Sequence, residues 1–139
     1  MDVLVLIGRI LFAALFLGSG FAHLSQTKTM AGYASTRGVP AAEPTTLGSG
    51  ALIVAGGLMV LLGVWADLGA LLLAAFLFPT AIVMHAFWKE SDPQARQMEM
   101  VQFNKDMALG GAALMLLALI SFAGSDLGLT LTGPLFDIS

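Results

Sequence analysis

The stretch LGALLLAAFLFPTAIVMHAFW, residues 68–88, decides the fold of this chain. It contains no Asp, Glu, Lys or Arg, and its only titratable side chain is that of His85. A helix of this length, rising about 1.5 Å per residue, crosses a hydrocarbon layer of roughly 30 Å. The stretch ends in Trp88 and is followed at once by Lys89 and Glu90. This ending is typical of a membrane interface, where Trp lies at headgroup level. We therefore predict a membrane-spanning helix against which the other segments pack.

The composition of the whole chain supports the same class. Among its 139 residues, 58% are hydrophobic and 11% are charged, and the mean hydropathy is +0.89. An ordinary globular domain has about 25% charged residues. The net charge of −3, without a basic block, argues against a nucleic-acid partner. Because the chain has no cysteine, thiol redox chemistry and disulfides are excluded, and a redox role would need a bound cofactor, a quinone or a partner protein.

Three further apolar segments complete the predicted architecture. We expect one domain, residues 1–139, with spans at residues 3–24, 47–65, 68–88 and 104–123, loops at 25–46 and 89–103, and a tail at 124–139. The first segment is longer than the apolar core of a signal peptide, so we expect a retained helix, with a cleaved signal peptide as the alternative. The fold class is therefore all-α, an integral membrane four-helix antiparallel bundle.

Local sequence features refine this bundle. Ala14, Gly18 and Ala22 recur every four residues and predict a ridge on which another helix packs closely, with Gly20 adding to it. The first loop is expected to hold a short interfacial helix around Thr27 to Ser35, and residues 94–103 are also expected to be helical. Gly133 and Pro134 argue against a fifth crossing.

The distribution of charge predicts an orientation. Basic residues are concentrated on the face that carries the two longer loops: Lys28, Arg37, Lys89, Arg96 and Lys105. Acidic residues dominate the opposite face: Asp2, Asp67, Asp126 and Asp137. The positive-inside rule then places loops 25–46 and 89–103 in the cytoplasm and both termini outside.

Polar residues at the loop face suggest a ligand site. Because the first and third spans run in the same direction, His23 and His85 reach the same end, where the fourth span begins with Gln102 and Asn104. Imidazole or amide groups can donate to the carbonyls of a quinone or another polar-headed lipophile, with Trp88 against its ring. The alternative is that the histidines are interfacial residues and that Asn104 is a helix cap or forms a hydrogen bond between helices. No metal site is predicted, because the histidines have no Cys or acid at ligand spacing, and no catalytic residue is identified.

Arg9 is the one basic residue within the first span. We expect it to form a structural ion pair with Asp67 or Asp126 near the opposite end of the bundle, since a charge within a membrane helix needs a partner. The alternative is contact with an anion or a substrate.

Three segments together resemble a known family: GRILFAALFLGSGFAHL at residues 8–24, MHAFW at 84–88 and QFNKDMALGGAALM at 102–115. Their order and spacing are similar to those of the DoxX family of small bacterial four-helix membrane proteins. The resemblance implies a multi-pass protein of the bacterial plasma (inner) membrane. It also implies an association with oxidative-stress or sulfur-handling systems, since relatives include small membrane subunits of an archaeal thiosulfate:quinone oxidoreductase.

Three functions remain open at this point. The first is an accessory or quinone-interacting subunit of a membrane redox system, with quinone as the only cofactor suggested and the enzymatic step left to a quinone oxidoreductase complex. The second is a non-catalytic scaffold in the lipid bilayer that anchors a peripheral redox enzyme through residues 89–103 or the first loop. The third is a small-solute transporter, which would require a homo-oligomer because four helices do not enclose a pore.

Overall fold

The computed structural model describes residues 1–136, and this part of the chain is helical without strands. The helices are α1 (Asp2–Ser25), α2 (Thr27–Thr36), α3 (Ala42–Leu62), α4 (Ala66–Met84) and α5 (Pro93–Ala123). Short 3-10 turns follow α4 at Phe87–Lys89 and α5 at Gly124–Asp126. The predicted all-α class is confirmed, and the short helix predicted around Thr27 to Ser35 is present as α2.

Four of these helices are long and apolar enough to cross a membrane: α1, α3, α4 and α5. They form an antiparallel row in which α1 packs on α3, α3 on α4 and α4 on α5, while α2 packs mainly on α3. The predicted membrane-spanning four-helix architecture is therefore confirmed. We call the end that carries α2 and the α4–α5 connection the loop end. The terminal end carries the start of α1, the α3–α4 turn and the tail.

The contact between α1 and α3 uses a different face of α1 from the predicted ridge. The buried residues of α1 are Arg9, Ala13, Phe16 and Gly20, spaced by three or four residues. A Cβ atom on Gly20 would lie 3.2 Å from the carbonyl oxygen of Gly50, whereas one on Gly18 would meet open space. The prediction of a packed Gly18 ridge was thus wrong, because the face anchored by Arg9 and Phe16 turns Gly18 away from α3.

Helix boundaries differ from the predicted spans where capping, rather than hydropathy, determines them. Helix α5 starts at Pro93, well before residue 104, because the side chain of Asp92 accepts a hydrogen bond from Ala95 N at 2.8 Å and Pro93 occupies the first turn. Helix α4 ends at Met84, before the predicted end at residue 88, and His85 adopts a non-helical conformation.

The tail after α5 folds back over the turn between α3 and α4. The backbone N–H of Leu131 donates to Gly63 O at 3.1 Å, that of Thr132 donates to the same oxygen at 3.0 Å, and Trp65 N donates to Thr132 Oγ1 at 2.9 Å. Over residues 124–136 the tail contains no fifth spanning helix. The last part of the predicted tail, including Asp137, lies outside the described residues.

Candidate functional site

Arg9 is bound by backbone carbonyls at the terminal end. Its Nε donates to Val60 O at 2.7 Å, its Nη2 to Leu61 O at 2.8 Å and its Nη1 to Leu129 O at 2.8 Å. The side chain is buried, with 1% exposure. The last carbonyls of a helix have no intrahelical donor, and a cation at a helix C-terminus is favoured electrostatically. Arg9 therefore caps the end of α3 and joins it to the tail.

The predicted ion pair between Arg9 and Asp67 or Asp126 is not formed within residues 1–136. Asp67 is fully buried and accepts hydrogen bonds from the backbone N–H groups of Leu135 at 3.0 Å and Phe136 at 2.6 Å. Asp126 is exposed. The physical reason is that the guanidinium of Arg9 donates to backbone carbonyls, including those left unpaired at the end of α3. The carboxylate of Asp67 accepts from backbone N–H groups of the tail, so both charged groups are hydrogen-bonded by the backbone.

At the loop end, His85 lies between two carboxylates of α5. Its Nδ1 is 2.8 Å from Glu99 Oε2, and its Nε2 is 3.6 Å from Asp106 Oδ2. Glu99 and Asp106 are separated by two helical turns and therefore share one face of α5. Because α4 ends just before His85, the ring can turn toward this face.

The other oxygen of Glu99 connects α5 to α2. Glu99 Oε1 accepts from Tyr33 Oη at 2.6 Å and from Arg37 Nη2 at 2.9 Å. Arg37 also donates to Tyr33 Oη, at 2.7 Å, and its Nη1 pairs with Glu90 Oε1 at 2.8 Å. The result is a continuous polar row that runs from Glu90 through Arg37, Glu99 and His85 to Asp106.

This row leads from the surface into the bundle. The side-chain exposure falls from 24% at Glu90 to 16% at Glu99 and 6% at Asp106. The second carboxylate oxygen of Asp106, Oδ1, lies 3.5 Å from Nζ of Lys105, whose side chain remains 45% exposed. Asp106 is thus a buried acid with one contact to the imidazole and one to a solvated ammonium.

Three aromatic rings pack together beside the row. The ring centroids of Phe87 and Trp88 are 5.2 Å apart, those of Phe87 and Phe103 are 5.4 Å apart, and those of Trp88 and Phe103 are 5.7 Å apart, all edge to face. Phe103 lies between Glu99 and Asp106 in sequence, on the same side of α5. Trp88 keeps 49% of its surface exposed. An aromatic surface is therefore open next to the half-buried imidazole.

Burial and neighbouring side chains shift the pKa values of Tyr33 and Arg37. Burial, followed by the hydrogen bond to the Glu99 carboxylate, raises the pKa of Tyr33 above its ordinary value, while Arg37 acts in the opposite direction. Burial also acts to lower the pKa of Arg37, but the hydrogen bonds to Tyr33 and Glu90 and the neighbouring negative charge raise it overall. Near neutral pH Tyr33 is therefore a neutral donor and Arg37 a fixed cation.

The structure separates the ligand residues predicted from sequence. His23 lies at the same end as His85, but its Nδ1 is 2.9 Å from Ser49 Oγ on α3, and its ring packs edge to face on Phe76. Gln102 Oε1 accepts from Lys105 Nζ at 2.6 Å. Asn104 is exposed and makes no side-chain hydrogen bond within the described part of the chain. Only His85 and Trp88, of the predicted set, belong to the site formed here.

Sequence reasoning missed five members of this site: Tyr33, Arg37, Glu90, Glu99 and Asp106 as a partner of His85. A signal for two of them is present, since Glu99, Phe103 and Asp106 are spaced by four and three residues, as on one helix face. To use this signal, residues 94–106 would have had to be treated as one helix continuous with the fourth span. Tyr33 has no such local signal, because its contact with Glu99 joins residues 66 positions apart.

The arrangement is suited to proton exchange rather than to metal binding. The two imidazole nitrogens point in diverging directions, so the carboxylates that they contact do not converge on one point. Within residues 1–136 no group of three or more His, Asp or Glu side chains is placed to hold a metal ion. A carboxylate, an imidazole and a second carboxylate in contact form a path along which protons can move.

Two cavities lie away from this row. One, of about 450 Å³, opens at the α1–α2 junction and is lined by residues that include Gln26, Lys28 and Glu43. The other is an apolar groove of about 230 Å³ between α1 and α5, lined by residues that include Phe12 and Leu116. Neither includes His85 in its walls.

Comparison with known proteins identifies one family. The family model named DoxX matches residues 4–86, which is more than half of the chain and extends from α1 to just beyond His85. No curated protein and no solved structure matches the chain significantly. With four apolar helices in an antiparallel row and this family match, the chain belongs to the DoxX family of membrane proteins.

Proposed function

We propose that this DoxX protein is a quinone-interacting accessory subunit of a membrane redox system, serving oxidative-stress or sulfur handling. The observation that supports this role is the polar row Glu99–His85–Asp106 beside the exposed ring of Trp88. A quinone needs an apolar surface for its ring and tail, and a source of protons when it is reduced. Both are close together at the loop end.

In this proposal each group has a separate task. Trp88 and Phe103 provide the surface on which the ring stacks. His85 and Asp106 hold protons behind this surface. Since the chain has no cysteine, electrons would pass between the quinone and a partner protein.

The two tryptophans of the chain allow a direct test. Trp88 lies at the loop end and Trp65 at the terminal end, with similar exposures of 49% and 47%. Purified Trp65→Phe and Trp88→Phe variants, each with one remaining tryptophan, are titrated with a short-tailed quinone in lipid nanodiscs while fluorescence is recorded. We expect saturable quenching of Trp88, because a bound quinone lies within contact distance of that ring.

Trp65 serves as the matched control, because a quinone dissolved in the lipid reaches it only by collision. Its quenching should rise in proportion to the quinone concentration without saturating. Equal, unsaturable quenching of the two tryptophans would contradict the proposal. Solvent extraction of the wild-type protein, followed by chromatography, tests in addition whether native quinone is retained after purification.

We also propose the plasma membrane as the location, with loops 25–46 and 89–103 in the cytoplasm and both termini outside. The charge distribution supports this orientation. Because the natural chain has no cysteine, single cysteines report on sidedness. A Ser125→Cys variant should react with a membrane-impermeant maleimide in intact cells, and a Ser91→Cys variant only after lysis. The reverse pattern would invert the orientation.

A second candidate is a scaffold that anchors a peripheral redox enzyme, and one specific observation favours it. Arg37 and Tyr33 tie the first loop to Glu99, so both loops form one fixed surface, and Met98 and Val101 next to it are 64% and 54% exposed. A photoreactive amino acid at Met98 should then trap a defined redox enzyme in cells. The same group at Leu114, which is exposed but farther along α5, is the control. No trapped enzyme at Met98 would count against the scaffold.

A further inference from the structure

The contact of His85 with two carboxylates determines which tautomer its ring adopts. Glu99 Oε2 lies 2.8 Å from Nδ1, and Glu99 is held as a carboxylate acceptor by Tyr33 and Arg37 at its other oxygen. We therefore assign the N–H to Nδ1, since only a donor there forms a hydrogen bond with a carboxylate. In a neutral imidazole, Nε2 then carries a lone pair.

That lone pair faces an acid. Asp106 Oδ2 lies 3.6 Å from Nε2, and Asp106 is 4% exposed. A lone pair opposite an ionised carboxylate oxygen in a buried site is repulsive, and the repulsion is relieved by a single proton on either atom. With the proton on Nε2 the pair is imidazolium and carboxylate. With the proton on Oδ2 it is imidazole and carboxylic acid.

The formal charges around His85 and Asp106 also favour one additional proton on these two side chains. The titratable or charged side chains that contact this row, from every helix packed against it, are Tyr33, Arg37, Glu90, Glu99, Lys105 and Asp106. Three of them are carboxylates and two are permanent cations, so with a neutral imidazole the row is formally one negative charge in excess. One proton on His85 or Asp106 brings it to neutrality.

We propose that His85 and Asp106 share one exchangeable proton, which Glu99 exchanges with the aqueous side, so that the loop end is a proton-loading site within the bundle. In the imidazolium form the Nδ1–H donates to Glu99, and the Nε2–H faces Asp106 at ion-pair distance, 3.6 Å. A proton leaves outward from Nδ1 to Glu99, or inward from Nε2 to Asp106, and the ring becomes neutral in either case. The inference rests on the proposed function only for the identity of the ligand that uses the proton.

The fold gives this exchange a direction. Glu99 lies near the start of α5 beside the partly exposed Glu90 and Arg37, whereas Asp106 lies two turns deeper, about 10 Å along the helix. Phe103, packed against Phe87, lies between them on the same face. The ring of His85 therefore connects Asp106 to Glu99, while the other oxygen of Asp106 contacts the solvated ammonium of Lys105.

The inference is tested on quinone-free protein by infrared difference spectroscopy between two pH values. We expect a carboxylic acid C=O band that is lost in Asp106→Asn and retained in Asp126→Asn, an exposed acid at the other end of the bundle. His85→Gln should also alter the band, because its proton partner is removed. A spectrum in which Asp106→Asn leaves the carboxylic acid band unchanged would overturn the inference.

A second measurement does not depend on detecting that band. The chain has two histidines, so nitrogen NMR of ring-labelled protein shows two imidazoles, which a His23→Gln variant assigns. At one fixed pH, Asp106→Asn should shift the Nε2 resonance of His85 and leave that of His23 in place. An unshifted His85 resonance in a folded variant would overturn proton sharing. Because both measurements omit quinone, their failure is distinct from a failure of the tryptophan quenching experiment.

Discussion

Arg9 and Gly63 meet where α3 turns toward α4, and a Cβ atom on Gly63 would lie 2.7 Å from Nη2 of Arg9. Gly63 also has a φ of +68°, in the left-handed region that favours glycine. Gly63→Ala should therefore destabilise the protein by about 1–3 kcal/mol from backbone strain alone, with displacement of Arg9 adding to this. The measurement is the midpoint of thermal aggregation in detergent. Gly18→Ala, at a helical position facing open space, is the control and should not lower the midpoint.

Removal of the Arg9 side chain should be more damaging than removal of a surface base. Arg9→Met leaves three carbonyls, those of Val60, Leu61 and Leu129, without their donor. A buried unpaired carbonyl costs about 1–3 kcal/mol, and only that of Val60 is fully buried, so we expect a loss of at least about 1–3 kcal/mol. Arg9→Lys should not restore stability, because an ammonium lacks the planar fork that reaches three acceptors. The exposed Arg96→Met is the control, and an equal effect of both methionine variants would contradict this role.

Asp67 should hold the tail against the bundle. In Asp67→Asn one carboxylate oxygen becomes an NH₂ group, which faces a backbone N–H of Leu135 or Phe136 instead of accepting from it. A hydrogen bond to a charged group contributes about 1.5–3 kcal/mol, so amide exchange at these two residues should accelerate about tenfold or more. Hydrogen exchange with mass spectrometry measures this. Asp126→Asn, which changes an exposed acid, should leave the exchange of the tail unchanged.

Tyr33 is the only tyrosine, so its ionisation can be followed by ultraviolet absorbance. We expect a pKa above the ordinary value of 10.0, because burial and the Glu99 carboxylate both disfavour the phenolate. Glu99→Gln should lower the pKa by removing a negative charge, and Arg37→Gln should raise it further by removing a positive one. Shifts in the same direction for the two variants would mean that Tyr33 does not contact both side chains.

The sequence was sufficient for the spanning architecture, because apolar runs of membrane length constrain where a chain can cross. It was less informative about α5, where hydropathy marks entry into lipid but the helix begins earlier, at the cap formed by Asp92 and Pro93. That cap is visible in the sequence, so the start of the helix was predictable in principle. The consequence was that Glu99 was placed on a separate stretch of helix outside the fourth span rather than on the helix that faces His85.

For the candidate site, prediction depended on how far apart the partners lie along the chain. His85 and Trp88 were predicted, because they follow directly from the end of an apolar segment. Tyr33 and Arg37 were not, since their positions depend on how α2 docks. Arg9 was identified, but its partners were not. They are backbone carbonyls, which every residue has, so the residue types in the sequence do not distinguish them.

The hydrogen bond between Arg9 and Leu129 joins residues 120 positions apart. During synthesis, the guanidinium enters the membrane long before its last acceptor has been translated, and until then α3 alone can supply carbonyls to it. The first helix therefore carries a guanidinium that lacks one of its three backbone acceptors through most of biogenesis. The hydrogen bonding of the first helix is therefore completed only when the tail arrives.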